Sequence, residues 1–238
     1  MLILPQNSDL SRRFVAVRDA IGTAARNAGR SVDSVTLLAV SKGHGSEVVH
    51  RAAQLGQRHF GENYVTEALA KMAPLVSLDL TWHFIGRLQA NKTREIAGHF
   101  QWVHGVDRLK IAQRLSEQRD PSSPPLNVCV QVNIEAEPSK AGVAPGEVDA
   151  LLHDMALLPR LKLRGLMCML PFELTDPVQQ RAAFGRMRGL LDSPVARALG
   201  LDTLSMGMSA DFEPAIAAGA SIVRIGTALF GTRVRTVE

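Results

Sequence analysis

Lys42 closes an apolar, β-branched run at residues 35–41, and a lysine at the end of a buried strand is a residue from which Schiff-base chemistry can start. Desolvation or neighbouring cations lower the pKa of an amine, and the neutral amine is the nucleophile that attacks a carbonyl. The same lysine could simply extend its head to water, so its meaning depends on what stands near it. Two later segments supply that context. The turns SMGMSAD (205–211) and RIGTALFG (224–231) are rich in Gly, Ser and Thr and each follows an apolar run. Gly207 allows a tight fold, and Ser209 is placed to cap the short helix after it, leaving free N–H groups for an anion. Ordinary βα turns share this composition, and Asp211 would repel a phosphate unless it turned away.

Arg224 adds a constraint. By strand alternation Ile222, Arg224 and Gly226 share one face, as do Leu38, Val40 and Lys42. In a closed barrel whose last strand adjoins its first, lysine and arginine converge. A lysine, a phosphate cup and an inward arginine point to pyridoxal phosphate. An arginine facing the pyridine nitrogen keeps it unprotonated, whereas an acid there would protonate it, so the arrangement implies restrained carbanion chemistry.

The elements that must position these groups alternate along the chain. Eight apolar runs, at 35–41, 58–62, 82–86, 102–106, 127–133, 163–169, 202–207 and 221–226, take turns with helix-like segments at 10–28, 46–55, 64–73, 90–98, 107–119, 146–157, 178–191 and 211–218. Phe14, Val17 and Ile21 mark the apolar face of the first helix. Such alternation implies a parallel sheet with crossover helices, and eight units fill a closed (β/α)8 barrel spanning residues 1–238 as one domain. The doubly wound open sheet is the alternative, because alternation does not reveal closure. In a barrel the loops after strands seven and eight often bind phosphate, and these are the two Gly-rich turns. Residues 120–125 (DPSSPP) read as a loop before a strand.

At 46% hydrophobic and 21% charged, composition excludes disordered, collagen-like and coiled-coil classes. Cys129 and Cys168 both lie in apolar runs, which favours buried thiols in a reducing compartment. Residues 1–4 are too short for a signal segment and no apolar run suits a membrane span, so the expected location is the cytoplasm. The net charge of +4 is scattered and aromatics are 5%, so nucleic acid is not an expected partner, though a basic barrel mouth would speed capture of an anionic cofactor. The seven histidines and two cysteines show no metal-ligand spacing. No stripe beyond those that cover a barrel marks an oligomer face, and a monomer is expected.

The motifs AVSK (39–42), FGENY (60–64), WHFIG (82–86), LQANK (88–92), NIEAEPSKAG (133–142), GLMCM (165–169), SMGMSAD (205–211) and VRIGTALFG (223–231) occur in one order along the chain. Together they resemble the pyridoxal phosphate homeostasis protein family. The resemblance implies a barrel similar to the N-terminal domain of alanine racemase, with pyridoxal 5'-phosphate held as an internal aldimine on Lys42. It places Asn63 near the cofactor, Arg224 at the ring nitrogen, and Ser209, Gly226 and Thr227 at the phosphate. It implies a carrier acting in vitamin B6 homeostasis rather than an enzyme, with PLP-dependent apoenzymes as partners. Members usually continue after the lysine with a Thr-Lys-Pro-like turn. Here Gly43-His44-Gly45 stands instead, which suggests a looser loop with a titratable His44 beside the linkage.

A weak amino-acid racemase or lyase is the alternative function. It needs a second acid/base on the opposite face of the cofactor, and the chain has one tyrosine, Tyr64, and ends soon after the eighth run with no room for a second domain to supply one. Glu62, His83 and His104 are conceivable bases, although a histidine in an apolar strand is more often a satisfied core residue. A Schiff-base aldolase of phosphorylated sugars ranks third, because its lysine sits on a central strand where this chain has Met167 and Met169.

Overall fold

The computed structural model describes residues 6–137 and 140–231; residues 1–4 and the Pro138-Ser139 pair within the 133–142 motif lie outside this set. Eight strands, β1 (Thr36–Val40), β2 (His59–Glu62), β3 (Thr81–Phe84), β4 (Trp102–Val106), β5 (Leu126–Gln131), β6 (Leu161–Met167), β7 (Thr203–Ser205) and β8 (Ile222–Ile225), pair in sequence order and close on themselves. Every pairing is parallel, and β1 bonds to β2 on one side and β8 on the other. The closed barrel is therefore the architecture, and the open sheet is set aside.

The helices are α1 (Gln6–Asn27), α2 (Ser46–Gln54), α3 (Val65–Met72), α4 (Thr93–His99), α5 (Leu109–Gln118), α6 (Val148–Ala156), α7 (Pro177–Leu191), α8 (Pro194–Ala198), α9 (Phe212–Ala217) and α10 (Thr227–Phe230). Of these, α8 and α10 were not expected from the sequence. The strands' outward residues, among them Phe60, Phe84, Val103, Val128, Leu166 and Val223, join helix residues such as Phe14, Ile96, Leu152 and Phe184 in one apolar layer. Phe14, Val17 and Ile21 are buried as the helical spacing requires.

The inner layer is different. Barrel interiors are commonly filled by Val, Ile and Leu, but here Leu38 and Ile222 share the space with Gly61, His83, His104, Ser205 and Arg224, and all four polar residues are buried. A Cβ on Gly61 would lie 3.2 Å from Ile85 and 3.3 Å from Leu38, so the interior is full and its polar groups must satisfy one another.

Gly165 allows β6 and β7 to meet: a Cβ there would lie 1.9 Å from the Thr203 carbonyl oxygen. Gly165→Ala should cost about 3 kcal/mol, read as a lowered urea midpoint; an unchanged midpoint would show that the strands can part without penalty.

Candidate functional site

Lys42 follows β1 at the C-terminal mouth of the barrel and is partly buried. Arg224 is paired with Leu38, so Lys42 stands four residues further along the same inward face of β1. The peptides flanking the lysine are tied to α3 from outside the barrel. Ser41 Oγ donates to Glu62 Oε1 at 2.5 Å, and Lys71 Nζ donates to that oxygen at 2.5 Å and to the Ser41 carbonyl at 2.8 Å. Glu67 Oε1 accepts from Lys71 at 3.1 Å and from the Gly43 N–H at 2.6 Å. Burial pushes the Glu62 carboxyl above its ordinary pKa, while Lys71 and Ser41 oppose the rise.

Gly43 has φ +75°, a conformation that suits glycine. His44 donates its N–H to the Ser41 carbonyl at 3.1 Å, and its ring lies 5.2 Å from that of Phe230. Gly43 and His44 of the 43–45 turn are therefore tied to α3, Ser41 and Phe230.

Arg224 reaches into the interior at 4% exposure. Its Nη1 donates to the Ser205 carbonyl at 2.6 Å and to Ser205 Oγ at 2.8 Å, and its Nη2 donates to the Cys168 carbonyl at 2.8 Å. No carboxylate lies within 4.0 Å of it among the described residues. The guanidinium therefore keeps its net charge and retains donor capacity on Nε and Nη2. Three histidines continue from Ser205: Oγ to His104 Nδ1 at 2.7 Å, His104 Nε2 to His83 Nδ1 at 2.9 Å, and His83 Nε2 to His59 Nδ1 at 3.0 Å.

Asn63 sits between β2 and α3, and its Oδ1 is buried with no protein partner. Gly86 makes room for it, since a Cβ there would lie 2.1 Å from the Asn63 carbonyl oxygen. A cleft of about 300 Å³ opens beside Asn63, Gly86, Gln131, Lys140 and Met169, and an adjoining one of about 380 Å³ lies beside Tyr64, Phe84 and Gln89.

The two glycine-rich turns differ in how they start their helices. Gly207 has φ +93° and packs where a Cβ would lie 2.7 Å from Ala215 Cβ. Ser209 does not cap α9: it is exposed, and the N-cap is Asp211. The helix starts later because the Asp211 carboxylate folds back to accept the Met208 N–H at 2.5 Å, which also turns it away from the mouth. After β8, Gly226 is the N-cap of α10 and Thr227 its first, exposed residue.

The candidate bases are placed elsewhere. Tyr64 is exposed at the start of α3, Glu62 points outward to Lys71, and His83 and His104 are bonded inside the barrel. The Glu62–Lys71–Glu67 cluster and the role of Gly86 went unnoticed in the sequence. The 62/67/71 spacing spans a strand and a helix, and only tertiary structure brings the three together. No metal-binding cluster occurs among the described residues.

The alanine racemase, N-terminal domain family matches residues 18–234. A pyridoxal phosphate homeostasis protein of Pseudomonas aeruginosa is 55% identical over 226 residues, covering 95% of this chain and 96% of that one. That of Escherichia coli is 47% identical over 229 residues, covering 95% and 97%. The chain belongs to the pyridoxal phosphate homeostasis protein family. Among solved structures, PipY of Synechococcus elongatus PCC7942 with PLP bound is 37% identical, with a TM-score of 0.81, and the match covers 93% of this chain and 100% of that one.

The residues of this family member fit such a ligand. An unpartnered buried amide oxygen, a buried cation with spare donors and glycines that keep two turns tight all belong to the same end of one barrel.

Burial pushes the His83 imidazole well down, and it pushes His104 to about 3, helped by Arg224. Both stay neutral when folded, whereas the unfolded chain takes up protons below a pKa of about 6.5. Stability should therefore fall as pH drops below that value, by about 1.4 kcal/mol per unit for each buried histidine. Urea midpoints measured from neutral pH down to about 5 should show this slope, and it should be shallower in His104→Gln. A flat wild-type profile would contradict it.

Proposed function

We propose that the chain holds pyridoxal 5'-phosphate through Lys42 and acts in intracellular vitamin B6 homeostasis as a carrier without turnover. The observation that carries this reading is the buried Arg224 guanidinium, which faces the barrel interior uncancelled by any described carboxylate. A pyridine nitrogen is the acceptor that such a donor suits.

When bound, the cofactor supplies an aldehyde that condenses with a primary amine, releasing water, and a ring that draws electrons from the carbon attached to that nitrogen. The chain's own groups have separable tasks. Lys42 provides the amine, and the Lys71–Glu67 contacts to Ser41 and Gly43 hold its backbone. Asn63 offers its buried Oδ1 to the ligand. Gly226, Thr227 and Ser209 serve the phosphate through N–H groups and hydroxyls at the two turns. Arg224 donates to the ring nitrogen, and because a guanidinium does not give up its proton there, the ring stays a weak electron sink. Tyr64, the one tyrosine of the sequence, faces solvent, and the interior histidines are spent on each other. These placements favour holding over proton abstraction.

The reading extends to one barrel over residues 1–238, monomeric, delivering its cargo to PLP-dependent apoenzymes and binding no nucleic acid. A cytoplasmic site agrees with two free, buried cysteines whose thiols burial pushes up to about 12. Among the described residues no helix is long and apolar enough to cross a membrane.

Borohydride reduction of protein loaded with pyridoxal phosphate should fix one pyridoxyl group on the peptide containing Lys42, with none fixed there in Lys42→Ala. No fixed label in the wild type, or undiminished loading of the variant, would overturn the proposal.

A further inference from the structure

Ser205 and the three histidines form an unbroken hydrogen-bonded path across the barrel interior, and its direction can be deduced. A guanidinium only donates, so Ser205 Oγ is an acceptor toward Arg224 Nη1. The serine hydroxyl must then find an acceptor of its own, and the nitrogen available is His104 Nδ1 at 2.7 Å. That places the His104 proton on Nε2, where it is donated to His83 Nδ1; His83 in turn carries its proton on Nε2 and donates to His59 Nδ1. Every dipole along the path turns its lone pair toward Arg224.

The geometry points to His83 and His104 as positioning residues for Arg224: with Ser205 and His59 they form a proton-ordered relay that holds the guanidinium without neutralising it. A carboxylate in place of the relay would pair with Arg224 and cancel the charge presented to a ligand, whereas neutral imidazoles stabilise it by orientation alone.

The surroundings support this assignment. His83 stacks on Trp102 at 5.3 Å with planes 13° apart, and the Arg164 guanidinium lies 4.7 Å from the Trp102 ring centroid. Asp202 holds Arg164 from below, with Nη2 to Oδ2 at 2.7 Å. The other titratable neighbours are the Cys129 and Cys168 thiols and Asp211, whose carboxylate is committed to the Met208 N–H. Among the described residues, the one cation in contact with the relay is Arg224, which disfavours an imidazolium at His104, while Arg164 beyond Trp102 is paired with Asp202. His59, on the first residue of β2, is the half-buried member, so the relay reaches the N-terminal rim of the barrel.

The inference rests on reading Arg224 as the ring-facing residue, and its test has two independent arms. In the first, protein labelled with ¹⁵N-histidine and free of cofactor is examined by NMR. His83 and His104 should both be neutral with the proton on Nε2, and Ser205→Ala should alter the His104 signals first. A proton on Nδ1 of His104, or ordinary titration near neutral pH, would overturn the relay whether or not the chain takes up pyridoxal phosphate. In the second, protein loaded with pyridoxal phosphate is diluted and cofactor release is followed by absorbance. Ser205→Ala and His104→Phe should each speed release about tenfold, the scale of one hydrogen bond to a charged group. His104→Asn, which keeps an acceptor near the Nδ1 position, should recover most of the loss, and the exposed control His50→Ala should not change release. Unchanged release in Ser205→Ala, the mildest replacement, would overturn the positioning role, and failure of the wild type to load would overturn the reading of the site instead.

Discussion

A guanidinium inside a closed barrel must be satisfied by groups that the strands themselves carry. An unpaired buried charge is far more costly than any single hydrogen bond recovers. Arg224 meets this demand with two carbonyls and one hydroxyl. That solution dictates much of the inner layer. Ser205 must stand on the neighbouring strand, its carbonyl must accept from Arg224 as well as from the Cys168 N–H, and the serine needs an acceptor of its own. The polar interior follows from one residue on β8.

The outside of the barrel solves a parallel problem around Lys42. Glu62 and Lys71 are both buried between β2 and α3, and they earn stability only as a hydrogen-bonded pair. Lys71 bonds the Ser41 carbonyl and its partner Glu67 the Gly43 N–H, on either side of Lys42, so the strand end that carries the amine is anchored from behind while its side chain faces the mouth. Arg224 and Lys42 sit on the same inner face of adjacent strands; Arg224 is fixed by Ser205 and Cys168, and the backbone before Lys42 by Lys71.

Much of this was legible in the sequence because strands buried on both faces read as short β-branched runs, and the βα alternation is periodic enough to count. Lys42, Asn63, Arg224 and the glycine turns lie at strand ends, where polarity interrupts an apolar run. What escaped depends on distance or on brevity. His104 and Ser205 meet across 101 positions, and nothing local to either predicts the other. The α8 and α10 segments are too short to show a helical period. Ser209 looked like a cap because serine commonly is one, but Asp211 nearby competes for the same backbone and starts the helix two residues later. Histidines in apolar strands were readable as core residues, yet not as a connected path.

The central claim is that Arg224 presents an uncancelled, proton-retaining donor to the ring nitrogen of pyridoxal phosphate. ¹⁵N NMR of protein loaded with cofactor labelled at that nitrogen tests it directly. The expected shift is that of an unprotonated, hydrogen-bonded pyridine, constant across the neutral pH range. A pyridinium shift would contradict it.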